Sequence, residues 1–226
     1  MRAVNHVLFP GTTKIFASIY KWRHTDRIVV SDIDGTITRS DVMGYIFPTI
    51  GKDWSQQGVT KLYKRINDNG YRFIFLSSRA ICQASMTKSY LEWVKQDGIP
   101  LPRGAVMLNP TSLFNAFHKE VIARKPEQFK IACLQGISNI FPENVNPFWA
   151  GFGNRLTDVK SYREVKLPDK RIYIVNHLGH LKDQQEKLKT YTTSYSELGT
   201  KCDHFFPMVE GRFCNLLILE IQIRNF

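Results

Sequence analysis

Acidic residues are in short supply in this chain. Asp and Glu number 20 against 31 Lys and Arg, a formal net charge of +11. That shortage points to an anionic partner: nucleic acid, an acidic membrane or a phosphorylated substrate. Cysteine is sparse as well, and Cys82, Cys133, Cys202 and Cys214 show no CxxC spacing. The pattern excludes a disulfide framework and a thiolate zinc site, and reads as reduced, intracellular thiols. No apolar run reaches the ~18 residues of a membrane span. The longest, Leu216 to Ile223, is interrupted by Glu220 and Gln222. The Met-Arg start is followed by no apolar stretch with a small-residue cleavage site, so no secretory signal is expected. Internal repeats and low-complexity linkers are also lacking, which excludes a solenoid.

What is present is ordinary globular material. The 226 residues are 43% apolar and 23% charged, enough for one large domain, or one domain with a small appendage, around a sizeable core. The positive excess belongs to the first 180 residues, because residues 181–226 carry six basic and six acidic side chains. The tightest basic clusters, Lys61/Lys64/Arg65 and Arg163/Lys166/Lys170/Arg171, read as solvated faces. Residues Lys14 to Lys21 alternate loosely and read as a strand. Arg27 to Asp32 is a short β-branched run suited to a buried strand. Val59, Leu62, Tyr63 and Ile66 fall on one helical face, and Asn69-Gly70 supplies the stop. Tyr71–Leu76, Ala105–Leu108, Phe148–Phe152 and Ile172–Val175 read as further strands. Helices are expected around Ile81–Val94, after Thr111 or Ser112 with Leu113 to Ile122 inward, and from Pro126, a favoured first helical residue. Strands alternating with amphipathic helices predict an α/β fold, a mainly parallel sheet with helices on both faces, preceded by a short β segment.

In such sheets ligands bind at the carboxyl ends of strands, and chemistry-bearing residues gather there. Asp32-Ile-Asp34-Gly-Thr36 follows one strand. Two carboxylates two residues apart repel each other unless a cation compensates, and magnesium is commonly held by one or two carboxylates together with phosphate oxygens. A carboxylate in that position can attack phosphorus, and a second can serve as general acid and base. Gly35 permits a sharp turn off the strand, and Thr36 offers a hydroxyl to a carboxylate. An Asp-Gly turn with no chemistry is the competing reading. Ser77, Lys125 and the pair Asn154/Asp158 stand at later strand or helix ends. Each alone fits an ordinary cap or an exposed lysine; together, in that order, they suggest a phosphate site.

At these residues the chain resembles a known family. Asp32-Ile-Asp-Gly-Thr36 looks like motif I of the haloacid dehalogenase superfamily, and Ser77, Lys125 and Asn154/Asp158 occupy the places of motifs II, III and IV. Ser31 to Thr38, Gly51-Lys-Asp-Trp54, Ser77 to Ala80, Lys88 to Trp93, Lys125-Pro-Glu-Gln-Phe-Lys130 and Phe152 to Arg155 with Asp158 together resemble the catalytic C-terminal domain of lipins. These are magnesium-dependent phosphatidate phosphatases of lipid metabolism that make diacylglycerol, and the resemblance covers roughly Gly11 to Pro207. It implies a Rossmann-like haloacid dehalogenase fold and an Mg2+ cofactor. It implies Asp32 as nucleophile and metal ligand, and Asp34 as general acid/base that ligates metal through its backbone carbonyl. Thr36, Ser77 and Lys125 would bind phosphate. Asp158, supported by Asn154, would complete the metal shell, and Arg79 and Arg155 would contact the headgroup. The implied partner is phosphatidic acid in anionic membranes, with no nucleic acid and no transmembrane segment. The implied location is cytoplasmic, peripheral to the endoplasmic reticulum or nuclear membrane. Residues 1–26 would be a β segment left from an immunoglobulin-like unit, 27–207 the catalytic domain and 208–226 a divergent tail. Two alternatives share parts of the pattern. One is a non-catalytic phosphatidate-sensing domain, which would lack the acidic pair. The other is a related phosphatase of soluble or protein phosphates, which would lack Gly51-Lys-Asp-Trp54 and Lys125-Pro-Glu127.

Overall fold

The structure is a computed structural model that describes residues 3–6, 15–39, 54–110, 126–183, 193–209 and 218–221. The helix expected over Leu113 to Ile122, part of Gly51-Lys-Asp-Trp54, and Lys125 lie outside the described residues.

Strand β3, Ile28–Asp32, is buried along its whole length. Helix α1, Val59–Asp68, follows, with Val59, Leu62, Tyr63 and Ile66 turned inward as their spacing predicts. Gly70 ends it with φ 102°, a left-handed conformation that glycine adopts freely. Strand β4 spans Arg72–Ala80, longer than the sequence suggests, because Ala80 still pairs with Asn109 beyond a register shift after Ser77. A short 3-10 turn then leads into α2, Ala84–Trp93. A two-residue hairpin, β5 (Lys95–Gln96) and β6 (Ile99–Pro100), precedes β7, Gly104–Asn109. Helix α3 spans Pro126–Ser138, β8 Phe148–Gly153, α4 Leu156–Glu164 and β9 Ile172–Val175. Two elements not foreseen in the sequence, β10 (His180–Asp183) and β11 (Thr193–Ser194), extend the sheet, and short helices α5 (Tyr195–Thr200) and α6 (Cys202–Phe205) follow.

The seven-stranded sheet has the order β11-β10-β9-β8-β3-β4-β7. The pairs β3/β4, β4/β7, β3/β8 and β8/β9 are parallel, and β10 joins β9 and β11 antiparallel. The sheet is a Rossmann-like, mainly parallel arrangement. Side chains alternate between two cores. Val29, Phe73 and Phe75 pack with α1, α2 and Tyr195 on one face; Ile28, Val30, Ile74 and Leu76 pack with α3 and α4 on the other. Burial on both faces explains why the strands read as continuous apolar runs. From β3 the chain first builds outward through β4 and β7, then returns to the other side of β3 with β8 and β9. The strand order therefore reverses between β3 and β8, where open α/β sheets form a crevice at their carboxyl ends.

A second sheet stands at the start of the chain. Strand β2, Ile15–Trp22, pairs through Ile15 to Ser18 with β1, Ala3–His6. Through Ile19 to Trp22 it pairs with β12, Ile218–Ile221. Part of the 208–226 stretch is thus paired with the amino-terminal strand.

Candidate active site

Beyond Asp32 the chain turns back on itself. The N–H groups of Thr36, Ile37 and Thr38 converge on the Ile33 carbonyl at 3.3, 2.9 and 3.2 Å. Gly35 takes φ 79°, and its N–H donates to Thr38 Oγ1 at 2.8 Å. From α5, the Tyr195 hydroxyl donates to the Thr36 carbonyl at 2.9 Å. A tight, doubly anchored turn carries Asp32 and Asp34 into the crevice.

The Asp32 side chain is only 6% exposed. Its Oδ1 accepts from Lys130 Nζ at 2.5 Å, and its Oδ2 accepts from Thr36 Oγ1 at 3.4 Å. Lys130 also donates to Asp158 Oδ1 at 2.6 Å. Asp158, fully buried, accepts the N–H groups of Asn154 and Arg155 through Oδ2, each at 3.0 Å. It is thereby fixed at the first turn of α4, where a negative charge is favourable. Gly153 makes the approach possible. A Cβ there would stand 2.5 Å from Asp158 Cβ and 2.7 Å from its Oδ2.

Asp34 belongs to a second cluster. The Arg79 fork grips it, Nη2 to Oδ1 at 2.6 Å and Nε to Oδ1 and Oδ2 at 3.1 and 3.0 Å. Ser77 Oγ donates to Asp34 Oδ2 at 2.9 Å and accepts the Arg79 N–H at 3.2 Å. Ser77 sits inside β4 rather than capping a helix, because the strand runs on to Ala80. Thr87 Oγ1, from α2, accepts a further bond from Arg79 Nη1 at 3.2 Å.

Burial and the neighbouring Asp158 and Asp34 charges push the Asp32 carboxyl up to about 7, against the pull of Lys130. Burial works to strip the proton from Lys130, but Asp32 and Asp158 outweigh it and hold the ammonium above the usual lysine range. Three carboxyl groups (Asp32, Asp34, Asp158) face two cations (Lys130, Arg79), so once Asp32 is ionised three minus two leaves one negative charge in excess. All the acidic donors are oxygens, the chemistry a hard divalent cation takes. Such an ion would also offset the excess carboxylate. Among the described residues no three His, Cys, Asp or Glu side chains converge on one ready-made point. Lys130 stands between Asp32 and Asp158, and Arg79 holds Asp34. The donor set therefore fits a cation in type and charge.

The crevice thus gathers Asp32, Asp34, Thr36, Ser77, Arg79 and Asp158, with Asn154 at its edge through its backbone. Arg155 is exposed at the rim. The lysine that meets the carboxylates is Lys130, five residues beyond Lys125. Its signal was in the sequence. Lys130, Leu134, Ile137 and Phe141 fall at i, i+4, i+7 and i+11, and all are buried. A lysine on the apolar stripe of a helix needs an anionic partner.

A family model described as LNS2 (Lipin/Ned1/Smp2) matches residues 4–207. The chain is 51% identical over 201 residues to phosphatidate phosphatase LPIN2 of Homo sapiens, covering 89% of this chain and 22% of that one. It is 49% identical over 197 residues to phosphatidate phosphatase PAH1 of Arabidopsis thaliana, covering 87% and 22%. It is 43% identical over 209 residues to phosphatidic acid phosphohydrolase 1 of Saccharomyces cerevisiae, covering 88% and 24%. The chain thus spans less than a quarter of the length of these curated relatives. Among solved structures it is similar to a D,D-heptose 1,7-bisphosphate phosphatase from B. bronchiseptica. That likeness has 12% identity and a TM-score of 0.46 and covers 77% of this chain and 97% of the other.

Proposed function

We propose, from the premise that this chain belongs to the LNS2 (Lipin/Ned1/Smp2) family, that it hydrolyses phosphatidic acid to diacylglycerol and phosphate. One observation carries the reading: Asp32, buried and bonded to Lys130, stands at the sheet's switch point with Asp34 two residues on and Asp158 across the crevice. An intact acidic pair favours catalysis over phosphatidate sensing.

In the proposed mechanism an Asp32 carboxylate oxygen attacks phosphorus while the bond to the diacylglycerol oxygen breaks. Asp34, protonated at that moment, gives its proton to the departing oxygen. Asp34, now ionised, takes a proton from water. That water attacks the phosphorus of the aspartyl phosphate, and release of phosphate regenerates Asp32. Ser77 and Lys130 donate hydrogen bonds to the phosphoryl oxygens, with Lys125 and Thr36 assigned to phosphate binding as well. Arg79 holds Asp34 in place until substrate enters. Asp32, the backbone carbonyl of Asp34, and Asp158 with support from Asn154 would hold Mg2+. When bound, the ion would neutralise charge on the phosphoryl oxygens. Arg155, at the rim, would meet the headgroup.

We assign residues 27–207 to catalysis. Residues 1–26 are assigned to the remnant of an immunoglobulin-like unit, and 208–226 to a divergent tail. Among the described residues no helix is long and apolar enough to cross a membrane. The substrate is a lipid, so the domain would work peripherally, on the cytoplasmic face of the endoplasmic reticulum or nuclear membrane. The test is phosphate release from phosphatidate in mixed micelles. Asp34→Asn is expected to lower kcat about 10²–10⁴-fold, and Asp32→Asn to abolish release, with far-UV circular dichroism unchanged in both. Undiminished turnover in either variant would sink the mechanism.

A further inference from the structure

Eight large apolar side chains are exposed among the described residues. Four of them, Trp54, Met86, Leu156 and Leu178, share one edge of the molecule. Each stands just beyond the carboxyl end of a parallel strand or on a segment tied to one. Leu156 opens α4 directly after β8, beside the N–H groups that bind Asp158. Leu178 tips the turn after β9, which is held to the site loop where Gln56 Nε2 donates to the Asn176 carbonyl at 3.4 Å. Trp54 is tied to the end of the Asp32–Thr38 turn by the Arg39 N–H, which donates to its carbonyl at 2.9 Å. Met86 precedes Thr87, the residue bonded to Arg79. Charge agrees with this placement. The segments 36–39, 54–57, 84–87, 154–157 and 176–180 contain Arg39, Arg155, His177 and His180 and no carboxylate. Of the crevice acids, Asp32 and Asp158 are buried and Asp34 is paired with Arg79.

We infer that this apolar rim, whose described segments carry no carboxylate, is the surface by which the domain seats on an anionic lipid bilayer. Leu156 and Leu178 enter the headgroup–acyl boundary, and the arginines lie at the phosphate level. Scattered apolar residues are normal on a protein surface. Four of them following the strand ends that flank one crevice, beside Arg39 and Arg155, are what an interfacial surface requires. The crevice then opens onto the membrane, so a phosphate headgroup reaches Asp32 without its acyl chains leaving the bilayer. This rests on the phosphatidate reading, and it adds the face and the residues that dock.

The test uses the whole chain and separates binding from chemistry. A Leu156→Ser/Leu178→Ser double variant is compared with wild type and with Trp93→Ser/Met208→Ser, which alters exposed apolar residues away from the crevice. Co-sedimentation is measured with phosphatidylcholine vesicles with and without phosphatidate, and hydrolysis is measured on a water-soluble phosphate monoester. The rim variant is expected to lose vesicle binding about tenfold or more while keeping soluble-ester hydrolysis. The control pair is expected to bind as wild type does. Unchanged vesicle binding in the rim variant, an equal loss in the control pair, or a wild-type chain that ignores phosphatidate vesicles each overturns the inference. Failure of the phosphatidate reading appears separately, as wild type that binds these vesicles but releases no phosphate from them.

Discussion

Lys130 concentrates the electrostatics of the site in one side chain. It bonds two buried carboxylates at once, and removing it would leave both without their cation in a dry setting. Breaking a buried ion pair from one side typically costs about 3–5 kcal/mol, because the remaining charge stays desolvated. Lys130→Met is expected to lower unfolding stability by that amount in metal-free urea titrations, and to abolish phosphate release as well. A variant as stable as wild type would mean the pair is solvated, contrary to the burial of all three side chains. The same reasoning shows how far the residues could be read in advance. Asp32 and Asp34 stand at the end of β3, Ser77 lies in the last residues of β4 and Asp158 in the first turn of α4, and all were legible as polar groups following apolar runs. Lys130 lies a turn inside a helix, so its meaning rested on periodicity.

At the scale of elements, the site depends on how helices hold a turn. The Asp32–Thr38 turn is closed by its own backbone bonds and clamped from α5 through Tyr195 to the Thr36 carbonyl. Beneath it, Tyr63 of α1 shares a hydrogen bond with Ser31 at 2.9 Å, and Tyr162 of α4 donates to the Phe152 carbonyl at 2.7 Å. Three buried tyrosines on three helices thus fix the strand ends that flank the crevice. Tyr195→Phe is expected to cost about 1–3 kcal/mol by stranding a buried carbonyl. The readout is a lower urea midpoint at unchanged slope, with phosphate release reduced as the turn loosens. No shift in midpoint would place the clamp elsewhere. Helix α5 was not legible in the sequence, because Tyr195 to Thr200 is too short to show a helical period.

For the whole molecule, the excess charge now has a distribution. The Lys61/Lys64/Arg65 cluster is matched locally by Asp97, Asp68 and Asp203. Arg163 pairs with Asp169, and Arg171 stacks 3.4 Å from the centroid of the Trp149 ring. These clusters are structural and solvated, as their spacing suggested. The cations that meet the crevice carboxylates are instead the buried Lys130 and the largely buried Arg79. The crevice still carries one carboxylate more than its cations offset, the basis for expecting a divalent ion. Exhaustive chelation is therefore expected to abolish phosphate release while circular dichroism stays unchanged, and added magnesium to restore it. Full activity after chelation would count against the metal.

The sequence by itself determined the class of fold and the place of the acidic pair. Runs buried on both faces and helices with a 3.6-residue period leave few arrangements other than a covered parallel sheet. The Asp-x-Asp pair after a strand specifies where charge must be compensated. Only the tertiary structure decided which groups compensate it. Asp32, Lys130 and Asp158 are separated by 98 and 28 residues, and Arg79 lies 45 residues from Asp34. The reversal of strand order between β3 and β8 brings these distant segments together. Local pattern carries no record of that reversal, because it arises from how whole strands choose their neighbours. The rim is of the same kind: Trp54, Met86, Leu156 and Leu178 form no motif along the chain and gather at one edge only because parallel strands end there together.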